Sequence, residues 1–569
     1  MNKFKQNFMG LGLIKLLIYG FFLLFLIIPL LSVFLVAFTD EPINVFGSLV
    51  SWEQMQITID QLKNATLDNF KAMFTYGSYF RGLINSLKLS LIVSLWVLII
   101  CIPIAYGIAR TKMPFKRTIS ALCTVPLVIP TFISAYAFII MFGRSGWVTY
   151  IYEKLGGEGM LIDPYSMTGI AIVQIFFFFP YALWPMVAAF KISDISLEEA
   201  SRNMGSRGWL TFITVTFPLA LPGMLSTLLV IFAVSFSDFG TPIILAPNDL
   251  NLIVVDAYRE IAGFFNWGGA AILTVIMIAV AGVVYWLQNY LLKDKNYDVL
   301  SGKPKQVKLN KNKALTIPLT IFSGIVVLIP ILAMLTVFLQ SIATTWGRDP
   351  LPNGYTFDHY RTIFTSSLGN IQNSLVLAGG ALILSAVIAT FVSYFVVRQR
   401  STTLDFMTTI PLIVPGIAFG IALIQTFNTA PLQLTGTALI LIIAYSIRRL
   451  PYMVRSTVGT MRAIKQDIEE AAVSLGASTL TAATTVVGPL MLPGIAAGSI
   501  LVFVTVIKET SVSILMAPAE WAPMSLAIFQ NVLRAEYYSA AAMSVILVII
   551  VLVLQAIANK LSGGNKSHE

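Results

Sequence analysis

The sequence predicts an all-α polytopic membrane protein of about twelve transmembrane helices, arranged as two parallel six-helix repeats. Three observations carry this. Hydrophobic residues make up 57% of the 569 and charged residues only 11%, a balance no soluble core requires. Apolar runs long enough to cross a bilayer, about 20 residues each, recur along the whole length. The two halves also share one register: "EEASRNMGSRGWLTFITVTFPLALPG" begins at Glu198, and "EEAAVSLGASTLTAATTVVGPLMLPG" begins 271 residues later at Glu469. Alternating ten-residue strands are absent, so the spans are helical rather than barrel strands.

The first span is expected at 13–38. Lys3, Lys5 and Lys15 precede an apolar run from Leu16 to Phe38, but that run is long for a signal peptide and no small-residue cleavage site follows. We read it as an uncleaved span. Further spans are expected at 83–109, 119–142, 167–190, 222–246 and 267–292. Residues 293–313 carry seven lysines and almost nothing apolar, which marks a solvated linker. The second set follows at 314–341, 371–397, 403–427, 436–457, 493–516 and 537–558. The domains are therefore 1–292, with a polar loop at 191–221, and 314–569, with its counterpart at 458–492. The net charge of +10 resides mostly between apolar runs. With the N-terminus inside, most Lys and Arg fall on the inner side. Both termini, the linker and both polar loops are then cytoplasmic. This basic pattern suits a lipid bilayer and gives no nucleic-acid footprint.

The repeat reaches beyond the polar loops. Asn85-Ser86-Leu87 answers Asn373-Ser374-Leu375, and the stretch Thr124 to Pro130 answers Thr409 to Pro415. Pro180, Gly205, Pro218 and Pro222 each find a like residue 271 positions on. Both halves have six spans, so they share orientation. Such repeats pack about an axis along the membrane normal, with the pathway between them.

Each polar loop reads as a short helix. Ser196 with Glu199, and Asp467 with Glu470, fit the capping-box spacing. Ala200, Ala471 and Ala472 leave one face small. Gly205 and Gly476 fall where a helix ends. A short, small-faced helix held between two spans is a docking element, and two copies suit a partner that is itself a dimer; the bland alternative is a pair of ordinary connecting loops. Glu-Glu-Ala, then Gly six residues after the second Glu, then the Leu-Pro-Gly ending, resembles the EAA coupling loop of binding-protein-dependent ABC importer permeases. The likeness covers nearly the whole chain, as two fused permease domains of the type I fold. It implies that Glu198, Glu199, Ala200 and Gly205, with Glu469, Glu470, Ala471 and Gly476, contact a dimer of cytoplasmic ABC ATPase subunits. It also implies an extracytoplasmic substrate-binding protein and a bacterial inner membrane. The first loop departs slightly, with Ser201-Arg202 where the second has Ala472-Val473.

The chain itself carries no G-x-x-x-x-G-K-[ST] motif, because Gly302-Lys303 runs into Pro304 and lacks the upstream glycine. It has no catalytic triad, and its two histidines and two cysteines make no metal framework. It is expected to be a transport subunit with no cofactor of its own, ATP and Mg being held by the partner ATPase.

Ionisable residues inside spans are candidate pathway groups. Asp238 and Glu509 lie 271 apart, each fifteen residues beyond the glycine that closes its loop (Gly223 and Gly494). Fifteen residues span about 22 Å of helix, which points to the outer half of the pathway. Alternatively they end their spans at the outer surface, or Lys508 neutralises a carboxylate. Arg448 and Arg449 either snorkel to the cytoplasmic surface or line the inner pathway and suit an anion. The segments "SDFGTP" and "KETSVSILMAP" resemble those of the ferric iron(III) permease group, although that group commonly has Lys-Glu-Leu-Pro in the second. The resemblance implies ferric iron as cargo, with a phosphonate, a hexose phosphate or thiamine as alternatives. Hard cations favour oxygen ligands such as Asp238 and Glu509; a phosphorylated solute would favour the arginines. Outside this class, an ATP-independent secondary transporter also has parallel six-span halves, and a membrane scaffold would carry no flux.

Overall fold

The structure, a computed structural model, describes residues 2–39, 41–75, 77–192, 195–293 and 309–562. Most of the linker expected at 293–313 therefore lies outside the described residues. Nine described helices are long and apolar enough to cross a membrane, and two further pairs qualify together but bend, Thr402–Ile413 with Gly416–Phe427 by 107° and Thr479–Leu490 with Leu492–Ile507 by 68°. The remaining expected span is present as the 26-residue helix Ala438–Ala463. It carries Arg448, Arg449, Arg455 and Arg462, more charge than lipid-facing helix tolerates.

Two expected straight spans are broken, and proline is the reason. The run expected at 119–142 divides into Lys116–Leu122, a 3₁₀ turn Val125–Val128 and Thr131–Phe142. Its counterpart breaks at Val414-Pro415. Ile129 and Val414, each preceding a proline, are extended at ψ 129° and 119°; the pyrrolidine ring forces this on the preceding residue and supplies no N–H to carry a helix through. The spans expected at 222–246 and 493–516 are broken as well. Phe217–Ser237 stops at Asp238 before Gly240–Leu245, and Leu492–Ile507 stops at Lys508 before Ser513–Met516.

The chain divides into two compact units. One joins residues 1–77 and 256–278 to residues 357–569. In it the first span packs on the second half of the sequence: Ile28–Val36 lies against Gly416–Phe427, and Val33, Val36 and Ala422 share one fully buried cluster. Phe25 and Phe46 stack on Phe427 at 5.4 and 5.5 Å. The other unit joins residues 78–255 to 279–356. There Lys313–Ser341, which opens the second half of the sequence, packs on Thr131–Phe142 and Met167–Ile192, and the Trp147 indole donates to Thr336 Oγ1 at 3.2 Å. Each half thus lends its opening span to the unit built mainly from the other.

The Asn-Ser repeat has one structural task in both units. Asn85 donates to the Asn251 carbonyl at 3.1 Å and Ser86 Oγ accepts from the Ile253 amide at 3.0 Å. Asn373 donates to the Ala522 carbonyl at 3.2 Å and Ser374 Oγ accepts from the Met524 amide at 2.7 Å. Each pair pins the start of a short helix, Ile253–Ala262 or Met524–Leu533, where a first-turn N–H would otherwise be unmet.

Candidate functional site

The two polar loops share one backbone. In the first, helix Ile195–Asn203 ends with Gly205 at φ +90°. The Gly205 amide donates to the Arg202 carbonyl and the Ser206 amide to that of Ser201, at 2.9 and 3.1 Å. In the second, helix Gln466–Ser474 ends with Gly476 at φ +95°, and Gly476 and Ala477 donate to Val473 and Ala472 at 2.9 and 3.1 Å. This is the paired closure that a left-handed glycine permits. A Cβ at either glycine would meet nothing within 4 Å, so the demand for glycine comes from φ, not space. Each loop then re-enters its unit through a π-helical turn, Phe212–Thr216 or Ala482–Val487.

The capping box is not how the second helix starts. The cap is Lys465, which makes no side-chain bond, and Asp467 lies inside the first turn. Glu470 instead accepts from the Gln466 amide group at 3.0 Å, an i, i+4 pair that leaves Asp467 no cap to fill. The Ser196 side chain lies outside the described residues.

The adjacent glutamates of each loop have opposite fates. Glu198 and Glu469 are buried, whereas Glu199 and Glu470 are exposed. Glu198 Oε1 lies 3.3 Å from Arg110 Nη2 and accepts from Thr216 Oγ1 at 2.8 Å. Glu469 Oε2 accepts from Arg398 Nε at 3.1 Å, and its Oε1 accepts from the Tyr394 hydroxyl. Arg398 also donates to the Ile464 carbonyl at 3.0 Å, holding the backbone just before the loop helix. Arg110 and Arg398 each end a long helix, Gly77–Arg110 and Leu368–Arg398. Four residues earlier, on the same helical face, stand Tyr106 and Tyr394. Beside the first loop, Tyr106 packs edge-on against Phe190 and Phe212, at 5.8 and 5.1 Å, with Glu198 as an electrostatic neighbour. These Tyr-x-x-x-Arg clamps escaped the sequence reading. Their signal was there: both residues repeat at the 288-residue offset that relates Asn85 to Asn373.

With one glutamate locked inward, each loop turns a mixed face to solvent. Ala200 and Ala471 are exposed beside Glu199 and Glu470. Met204 is 81% and Leu475 90% exposed, and Leu197 and Ile468 are about half so. These apolar residues also match at 271. Large side chains thus stand exposed at the same point of each repeat, rather than scattered singly.

Asp238, Lys508 and Glu509 lie at helix breaks, whereas Arg448 and Arg449 lie inside Ala438–Ala463. Asp238 follows Phe217–Ser237 and is buried. Its Oδ2 accepts from Gln174 Nε2 at 2.9 Å and from the Thr241 amide at 3.4 Å, and Ser235 donates to Gln174 Oε1 at 2.7 Å. Glu509 occupies the same register in the other unit. It accepts from Arg449 Nη2 and stands 3.7 Å from Arg448 Nε. Arg448 and Arg449 therefore do not snorkel to a surface: their side chains are only 13% and 18% exposed, because Glu509 gives them a counter-charge inside the unit. Lys508 caps Leu492–Ile507 beside them. Asp238 and Glu509 belong to different compact units. Among the described residues, no group of three or more His, Cys, Asp or Glu is placed to hold a metal ion. Cys101 and Cys123 are buried and free.

Comparison with known proteins accords with this geometry. The family described as "Binding-protein-dependent transport system inner membrane component" matches twice, over residues 99–296 and 302–564. The ferric transport system permease protein FbpB of Actinobacillus pleuropneumoniae is 28% identical over 440 residues, which is 76% of this chain and 64% of that protein. The putative ferric transport system permease protein FbpB 1 of Haemophilus influenzae is 28% identical over 406 residues, again 64% of its length. The chain thus spans just under two thirds of these two relatives. The molybdenum transport system permease protein ModB of Escherichia coli K12 is 28% identical over 216 residues, 37% of this chain and 93% of that protein.

Proposed function

Because the chain belongs to the family of binding-protein-dependent transport system inner membrane components, we propose that it forms the whole translocation pathway of an ATP-driven importer for ferric iron. Its coarser identity is that of a multi-pass ABC importer permease, a transport subunit of the membrane. The observation that carries the proposal is the duplicated loop: one carboxylate of each Glu-Glu pair locked by an arginine, the other left outside beside exposed apolar side chains. Such a loop is held rigidly to a long helix on one side and offers a contact on the other. A push on the exposed face is then transmitted to Gly77–Arg110 or Leu368–Arg398 rather than absorbed by loop bending.

In this reading the two loops dock on a dimer of cytoplasmic ATPase subunits, which hold ATP and Mg. A substrate-binding protein delivers cargo from the opposite side, and both termini are cytoplasmic. Iron is supported by the names of the ferric relatives. The molybdenum relatives mark this class as one that serves other solutes too. The test is uptake by the reconstituted complex of this chain, its ATPase and its binding protein, with ion gradients collapsed. ATP-dependent accumulation of labelled ferric iron, outcompeting molybdate and phosphate, is the expected result. Flux that follows an ion gradient without ATP would sink the importer reading, and ATP-driven flux of molybdate or phosphate without iron would sink the iron assignment.

A further inference from the structure

The two units treat the same buried position in opposite ways, and this goes beyond the iron reading. In the unit holding Asp238, the carboxylate rests among neutral donors, Gln174, Thr241 and Thr131, and the residues in register with Arg448 and Arg449 are Phe177 and Phe178. In the other unit, Arg448 and Arg449 pair with Glu509, and Lys508 stands beside them. Three basic side chains thus meet where the twin unit has Phe177, Phe178 and Ser237 in register. The fold does not require this basic cluster, since its twin is built without it.

Room has been made for it. Where one unit has Thr131 just after its helix-breaking Pro130, the other has Gly416 after Pro415. A Cβ at Gly416 would collide with Arg448 Nη1 and come within 2.8 Å of Ser511 Cβ. The guanidinium thus lies against the first residue of the twelve-residue helix Gly416–Phe427, which has no side-chain cap. That is the positive end of a helix, a poor neighbour for an arginine and a good one for an anion. Arg448 Nε and Nη1 are shielded from solvent, yet neither has a hydrogen-bond partner. A guanidinium has five N–H donors in a rigid fork matched to oxyanions. Buried donors left unmade are costly, and an oxyanion would meet them.

We propose that Arg448, Arg449 and Lys508, together with the amide end of Gly416–Phe427, form a binding site for a small oxyanion. Glu509 orients the arginines and offsets part of their charge. The anion is either free in solution or the ligand shell of a chelated metal cargo; both present anionic oxygens to the same fork.

The test is equilibrium binding to the purified full-length chain assembled with its ATPase, without nucleotide, so that its outcome is independent of iron uptake. The probes are phosphate, sulfate, molybdate, citrate and ferric citrate. At least one should bind saturably at one site per chain. Arg448→Gln should weaken it at least tenfold, Arg448→Lys less so, and Arg462→Gln, at an exposed position outside the cluster, should leave it unchanged. Binding of a free anion identifies the solution source, and binding of ferric citrate alone identifies the chelate. Absence of saturable binding by every probe overturns the proposal. So does wild-type affinity in Arg448→Gln. If that variant fails to assemble, Arg448→Lys decides: it keeps the charge but loses the fork, so unchanged affinity for all probes refutes the assignment.

Discussion

Removing Arg398 isolates what the clamp contributes. Its side chain is 12% exposed and that of Glu469 10%, with 3.1 Å between Nε and Oε2. Breaking a buried pair from one side costs about 3–5 kcal/mol. Two features move the figure. Tyr394 still donates to Glu469 in Arg398→Gln, which lowers it; the lost bond to the Ile464 carbonyl restores about 1 kcal/mol. We take about 3 kcal/mol as the net. The loss should appear as local opening rather than global unfolding, because the contacts join the loop helix to Leu368–Arg398. At 1.36 kcal/mol per decade, amide hydrogen exchange across 464–477 should quicken roughly 150-fold, with exchange in the spans unchanged. Arg110→Gln in the first loop should be milder, about 2 kcal/mol or some 30-fold, because that pair is longer, at 3.3 Å. In Arg398→Met with Glu469→Met no buried charge is stranded, so the double variant should recover much of the loss. Exchange in Arg398→Gln within twofold of wild type would show that the clamp does not hold the loop.

Three further outcomes follow from the same geometry. Gly205→Ala and Gly476→Ala should each cost about 1–2 kcal/mol of loop stability, although each methyl has open space; valine at either site should abolish uptake with normal membrane insertion, and full uptake by the valine variants would exclude a coupling role for these turns. Glu199→Lys with Glu470→Lys alters only exposed carboxylates, so thermal stability should hold while ATPase association and uptake are lost; transport at the wild-type rate would refute the docking assignment. Asp238→Asn with Glu509→Gln should cripple uptake if the cargo meets these carboxylates as iron, with Lys508→Gln run alongside to balance the freed cations; undiminished iron uptake would remove both carboxylates from the route.

What could be read from the chain was whatever leaves a local trace. Apolar runs located the spans, and Gly205 and Gly476 marked their turns because only a residue without Cβ sits easily at that φ. Pro130 and Pro415 were visible too, but they served as markers of the repeat when they are also what breaks two spans. The depth of Arg448 and Arg449 was not legible. A snorkelling arginine and a buried one look alike until Glu509, sixty residues away, supplies the counter-charge. The clamp was hidden for a different reason. Arg110 and Arg398 end helices on the expected inner side, where the positive-inside rule already accounts for them, and the 271-residue register that aligns the loops does not align them.

The exchange of opening spans has a consequence for how the protein is made. Residues 1–77 belong to a unit whose largest part begins at residue 357, so the 279 residues from 78 to 356 must be synthesised before that part starts to emerge. At about 5–20 residues per second, the first span waits in the bilayer for roughly 15–60 s with its core-facing side chains, Val33 and Val36 among them, turned toward lipid or toward whatever escorts it. The two halves are joined through residues 293–313. A nick at that connection after assembly would leave two polypeptides mutually captive, whereas the same nick during synthesis would strand each fragment without the helix it borrows.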